Sequence, residues 1–207
     1  MTHNEVPSRT RLFSAARKLF SEQGYENTST SSIARAAGTS ESQLIKHFGG
    51  KANLLEAIFS DGWKAHRPWF ETQLSDIGIL SDRLRAIPRL IAEALQNDPE
   101  LQLLLLLEGR RLRKEGHSSL YVDGFHGAEE LLLSTLREMR EAGELRELVS
   151  PEAVTSALLG LTESVLRDHL LAQRAGRPEA FKVSDISKLT DAVVDTVIVM
   201  RHAQSGC

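Results

Sequence analysis

The stretch Glu41-Ser42-Gln43-Leu44-Ile45-Lys46-His47 holds a carboxylate, a hydroxyl, an amide, an ammonium and an imidazole, and Lys51 follows after two glycines. Such groups suit nucleic acid: a Gln amide both accepts from and donates to adenine in the major groove, a carboxylate accepts from cytosine N4, and cations meet phosphate oxygens. Gln43 is therefore the candidate base reader, Glu41 a second, and Lys46 and His47 are phosphate contacts. Each reader also has a purely structural counterpart. Ser40-x-x-Gln43 is a capping box, in which Gln43 turns back to the backbone, and Glu41 in a first helical turn complements the helix dipole. Both pairs of readings stay open on the sequence. Arg35 reads as a solvated charge. Lys51, at a helix start, is badly placed for the dipole and needs a compensating anion, for which a DNA phosphate is the candidate.

Other chemistries lack their patterns. No Glu has a His three residues on, His-Glu-x-x-His is absent, no Gly-rich phosphate loop precedes a helix, and the single cysteine is Cys207. His126-x-x-Glu129 offers only two potential metal ligands and reads as helix surface. Asp168 and His169 are neighbours and point about 100° apart on a helix, so they form no dyad. No catalytic, metal or cofactor site is expected. A second cluster is aromatic: Trp63, Trp69, Phe70, Tyr121 and Phe125, with His66, Arg110, His126 and His169 interleaved. Apolar walls with a few polar groups suit a small-molecule pocket, and the same residues would equally serve as core.

Helices must position both clusters. From Ser8 the residues Leu12, Ala15, Ala16, Leu19 and Phe20 mark an amphipathic helix over 8–23, stopped by Gly24. The cluster Thr28-Ser29-Thr30-Ser31-Ser32 suits a helix start and leads into Ile33-Ala34-Arg35-Ala36-Ala37 and Gly38; a further short segment runs from Ser40 to Gly49-Gly50. Two brief helices so tightly joined make a helix-turn-helix, with Ala34 small at the crossing, Gly38 tolerating positive φ and Leu44 as the returning anchor. Six further helices are expected over 51–74, 81–96, 99–114, 118–142, 151–174 and 185–204. Pro68 would bend the first of them, and Asp98-Pro99 and Ser150-Pro151 mark starts. The run 103–107, all leucine, makes its helix apolar all round and hence central, with Leu104 inside. The helices over 151–174 and 185–204 carry wide apolar stripes that a second copy would cover, unless the chain's own helices suffice.

Composition agrees with an all-α chain: 207 residues, 41 % hydrophobic, 5 % aromatic. Residues 1–51 hold seven Lys/Arg against four acids, a net of +3, whereas the remainder is −6. A basic module on an acidic body suits a polyanion partner for the former only. No apolar run approaches the roughly 20 residues of a membrane span, and with one cysteine a reducing, cytoplasmic setting is expected.

The order and spacing of Gly24-Tyr25, Thr28, Ile33-Ala34, Ala37-Gly38, Ser40, Leu44, His47-Phe48, Lys51 and Leu54-Leu55 resemble the N-terminal signature of the tetracycline-repressor (TetR) family. The resemblance implies a homodimeric transcription factor, usually a repressor, in which three N-terminal helices (1–50) bind a palindromic operator. Six C-terminal helices (51–207) would hold an inducer pocket and the dimer interface. Thr28 would cap the second helix and touch phosphate, and the implied DNA contacts are Thr28, Ser29, Thr39, Ser40, Glu41, Ser42, Gln43, Lys46, His47 and Lys51. The implied pocket draws on Trp63, His66, Trp69, Phe70, Leu104, Arg110, Tyr121, Phe125, His126 and His169. One departure is Ile45, where the family commonly has a Tyr whose hydroxyl meets phosphate. A helical ligand- or partner-binding protein whose helix-turn-helix no longer binds DNA is the alternative.

Overall fold

A computed structural model describes residues 6–109, 123–179 and 182–199. Among these are nine helices: α1 (Ser8–Gln23), α2 (Thr30–Ala36), α3 (Glu41–Phe48), α4 (Lys51–Ser75), α5 (Leu80–Gln96), α6 (Pro99–Glu108), α7 (Asp123–Glu141), α8 (Pro151–Ala175) and α9 (Asp185–Val197). No strand occurs among the described residues, and no helix there is long and apolar enough to cross a membrane.

The described parts of Met1–Ala65 and Leu95–Gly124 make one compact unit, and those of His66–Ala94 and Phe125–Cys207 another. In the first unit Leu12, Ala16 and Phe20 of α1 share a core with Ile33, Ala37, Leu44 and Phe48, and with Leu54, Leu55, Ile58 and Phe59 of α4. Leu101 and Leu104 of α6 complete it. A Cβ on Gly62 of α4 would come within 2.7 Å of a Leu101 methyl, so a glycine is what lets these helices lie so close. Asp98 caps α6 by accepting from Leu101 N at 3.1 Å. Its carboxylate also meets Arg17 of α1, whose Nε donates to Glu100 at 2.8 Å.

In the second unit Ser150 caps α8 through Ala153 N, as Pro at the first helical position leads one to expect. Arg85 of α5 clamps α9: its guanidinium reaches Asp195 and Asp191, and these carboxylates, Asp195 foremost, push its pKa above the ordinary arginine value. Helix α9 ends earlier than its periodicity suggests. Instead of running to 204, it stops at Val197, and Ile198 is extended (φ −80°, ψ 151°) in an antiparallel bridge to Leu145. Val199 N donates to Glu144 O at 2.8 Å and Arg146 N to Val197 O at 3.0 Å. Three consecutive β-branched residues, poor helix formers and good pairing partners, account for the switch.

Candidate nucleic-acid interface

Helix α2 ends in a turn that the amino-acid types dictate. Gly38 takes φ +60°, Gly38 N donates to Arg35 O at 3.1 Å, and Thr39 N reaches back to Ala34 O at 2.9 Å. Two reversed bonds of this kind satisfy carbonyls that the helix end would orphan and turn the chain sharply into α3. A side chain tightens the same turn. Arg11 of α1 donates from Nε to Ala37 O at 2.9 Å and from Nη1 to Val6 O at 2.7 Å, tying the turn to the first helix.

Helix α3 buries Leu44 and Phe48 and turns Glu41, Ser42, Ile45 and Lys46 to solvent, with Gln43 and His47 half-buried at the flank. Ser40 occupies the N-cap position without a side-chain cap bond; its hydroxyl lies 2.8 Å from that of Ser42. The Ser40/Gln43 capping box therefore does not form, and among the described residues no group bonds the Gln43 amide. Glu41 accepts from Thr30 Oγ1 of α2 at 2.9 Å. His47 Nε2 lies 2.9 Å from Ser8 Oγ, at the start of α1.

One expected role is corrected, and a second residue has partners within the chain. Ser29, not Thr28, caps α2: its hydroxyl accepts from Ser32 N, and Ser32 Oγ accepts in return from Ser29 N, both at 3.1 Å. Thr28 is only 1 % exposed, and its hydroxyl donates to Gly24 O at 2.7 Å, which leaves nothing to offer a phosphate. Lys51 finds compensating dipoles within the chain. Its Nζ donates to Tyr25 O and Thr28 O, each at 2.9 Å, and sits 4.1 Å from the centre of the Tyr25 ring. Carbonyl dipoles and a ring face thus stabilise the ammonium at this helix start.

The charge excess can now be divided. Arg11 and Lys51 are spent on carbonyls, Arg17 on Asp98 and Glu100, and Lys18 faces Glu22 at 3.9 Å. Arg9, Arg35 and Lys46 are exposed and have no carboxylate partner among the described residues; Arg9 lies 5.1 Å over the Phe48 ring. The contacts of Arg9 and Arg11 carry no local sequence signal, since their partners stand 39 and 26 residues away.

The second cluster is scattered. Trp63, His66, Trp69 and Phe70 are on α4; Phe70 is buried with its ring 5.2 Å from that of Trp69, and the others are half-buried. Leu104 lies in the core of the first unit. His126 is exposed and faces Glu129 of its own helix at 3.5 Å. His169 lines a cleft of about 510 Å³ with Asp168, Leu171, Ala172, Arg177 and Glu179. Arg110, Tyr121 and the Phe125 side chain lie outside the described residues.

A short helix mounted on a glycine turn, its polar face outward and open cations beside it, defines a helix-turn-helix DNA-binding regulator. Residues 12–58 match the family described as bacterial regulatory proteins, tetR family. The HTH-type transcriptional regulator UidR of Escherichia coli K12 is 26 % identical over 162 residues, 78 % of this chain and 81 % of that protein. A TetR-family transcription regulator from Shewanella sp. PV-4 superposes with a TM-score of 0.72 at 21 % identity, over 94 % of this chain and 100 % of that one. FadR from Bacillus subtilis, solved with stearoyl-CoA, gives 0.73 at 18 % identity over 93 % and 99 %. Residues 12–58 thus carry the pattern of the tetR-family regulatory proteins, on a fold shared with solved TetR-family regulators over most of the chain.

Proposed function

We propose that this regulator binds a palindromic operator as a homodimer, represses transcription in the cytoplasm, and is released by a small-molecule inducer. Residues 1–50 are the operator-binding part and 51–207 the ligand-binding and dimerisation part. The observation that carries the reading is the exposed face of α3, with Lys46 on it and, at its half-buried flank, the Gln43 amide that no group among the described residues bonds. Ser29, Thr39, Ser40, Ser42, Lys46 and His47 position the helix on the backbone, with Arg9 and Arg35 adding attraction. Selection from random duplexes followed by gel shift tests this. Failure of every duplex to bind above the non-specific level near physiological salt would hand the chain to the alternative of a helix-turn-helix without DNA.

Gln43→Ala should cost roughly 1–3 kcal/mol on the selected operator and relax discrimination at one base pair per half-site. Thermal stability should hardly change, because no capping box is lost. A fall in stability with specificity retained would move the reader elsewhere.

The second copy would sit on α8 and α9. Leu171 and Leu189 are exposed there, and a groove of about 520 Å³ between the helices is lined by Leu161, Val165 and Leu189 together with Ser164, Asp168, Asp185 and Lys188. Two recognition helices must lie about 34–36 Å apart to enter successive major grooves, so an inducer need only favour another separation. A 100-fold release requires a preference of about 2.7 kcal/mol. Helix α4 runs from the operator-binding core to the aromatic cluster, and Pro68 within it removes one helical amide. A ligand can be sought among apolar and aromatic compounds and long-chain acyl-CoA, the class seen with the Bacillus subtilis FadR. Trp63→Ala should then blunt release while leaving ligand-free operator affinity within a few-fold. A mutant that responds normally would place the pocket away from Trp63.

A further inference from the structure

Ile45 is an apolar side chain 52 % exposed on the one helix whose outward face meets DNA under the operator reading, on which this inference rests. A single exposed isoleucine on an ordinary surface asks for no explanation. Here its neighbours do. Leu44 and Phe48 already supply the inward anchors of α3, so Ile45 contributes nothing to the core. Lys46 follows it and Gln43 stands two residues before it, and Glu41, one turn earlier on its own flank, is held by Thr30 Oγ1 at 2.9 Å. A fixed carboxylate beside the isoleucine disfavours any phosphate approaching from that side.

The groups that could cover Ile45 in a major groove are few. Phosphate oxygens and the donors and acceptors of the base edges would all lose water without gaining a bond. The thymine C5-methyl is the apolar group on that wall, and burying it against a branched side chain removes apolar surface on both partners. We infer that Ile45 is a specificity-determining residue that reads a thymine methyl in each operator half-site, where a hydroxyl-bearing ring would have met phosphate. The operator should accordingly hold a thymine at one symmetric pair of positions, apart from the base pair read by Gln43.

The test uses duplexes enriched from a random library by the full-length wild type. Each thymine is replaced in turn, in both half-sites together, by deoxyuridine, which pairs alike and lacks only the methyl. One methyl is worth about fourfold in affinity, so a symmetric replacement should weaken wild-type binding by about 15-fold at a single pair of positions. Ile45→Ala should bind the unmodified operator weakly and be indifferent to that replacement, whereas Gln43→Ala should keep the full 15-fold response. Ile45→Val, which retains a branched end, should keep most of it. Because the side chain is half exposed, the melting temperature of each Ile45 variant should match that of the wild type, which separates lost reading from lost folding. A uracil profile identical in wild type and Ile45→Ala, or one with no sensitive thymine, would overturn the inference alone. Failure to enrich any duplex would overturn the operator reading itself, and this inference with it.

Discussion

Replacing Lys51 with alanine should destabilise the operator-binding unit by about 2–4 kcal/mol and leave the salt dependence of duplex binding nearly unchanged. The ammonium holds the carbonyls of Tyr25 and Thr28 at 2.9 Å each, across the loop that joins α1 to α2, and lies against the Tyr25 ring. Hydrogen bonds to a charged donor are worth about 1.5–3 kcal/mol, and truncation removes the ammonium from Thr28 O while Tyr25 O keeps the Thr28 N–H at 3.2 Å. Lys51→Met, which keeps the apolar stem and loses the charge, should recover the packing and little else. A thermal melt reads the stability; gel shifts across a salt series read the slope. Were Lys51 a phosphate anchor, the slope would fall by about one unit per protomer with stability intact. That outcome would mean that the ammonium leaves its carbonyls when DNA arrives.

The same residue shows where a sequence stops being informative. That Lys51 needs compensation follows from its position at a helix start. That the compensation is Tyr25 O and Thr28 O, 26 and 23 residues away, follows only from the fold. Features decided within a few residues were legible: α1 spans Ser8–Gln23 because Leu12, Ala16 and Phe20 recur on one face, and Asp98 and Ser150 cap where a following proline says they should. The turn at Gly38 belongs with these, since its reversed bonds need only a residue at ease with positive φ. Thr28 and Ser29 lie on the border. Either hydroxyl can cap α2, and what decides is the burial of Thr28 against α1, a tertiary fact. The end of α9 was hidden for a like reason, as Val197-Ile198-Val199 fits an apolar helical stripe until Leu145 offers a backbone to pair with. An all-leucine run tells that α6 is central but not which neighbours Leu104 meets, and in the fold it shares a core with residues of α1, α3 and α4.

Leu44→Ala should cost about 2–5 kcal/mol, the range for a fully buried leucine whose cavity cannot collapse. Its side chain is 0 % exposed and joins α3 to Phe20 of α1 and Ile58 of α4 in one core, so three elements lose contact at once. The functional signature differs in kind from that of its neighbours. Gln43 and Ile45 flank Leu44 in sequence yet lie outside the core, Ile45 exposed and Gln43 half-buried at the flank, so changing either should alter which duplex is preferred with the melt unmoved. Leu44→Ala should lower the melting temperature and weaken all duplexes by one common factor, the fraction of molecules whose α3 is still mounted. That common factor should shrink as the temperature is lowered toward maximum stability, because refolding restores the intact interface. If Leu44→Ala instead shifted base preference at constant stability, α3 would have to roll about its axis on binding DNA, and the division of its residues into anchors and readers would have to be redrawn.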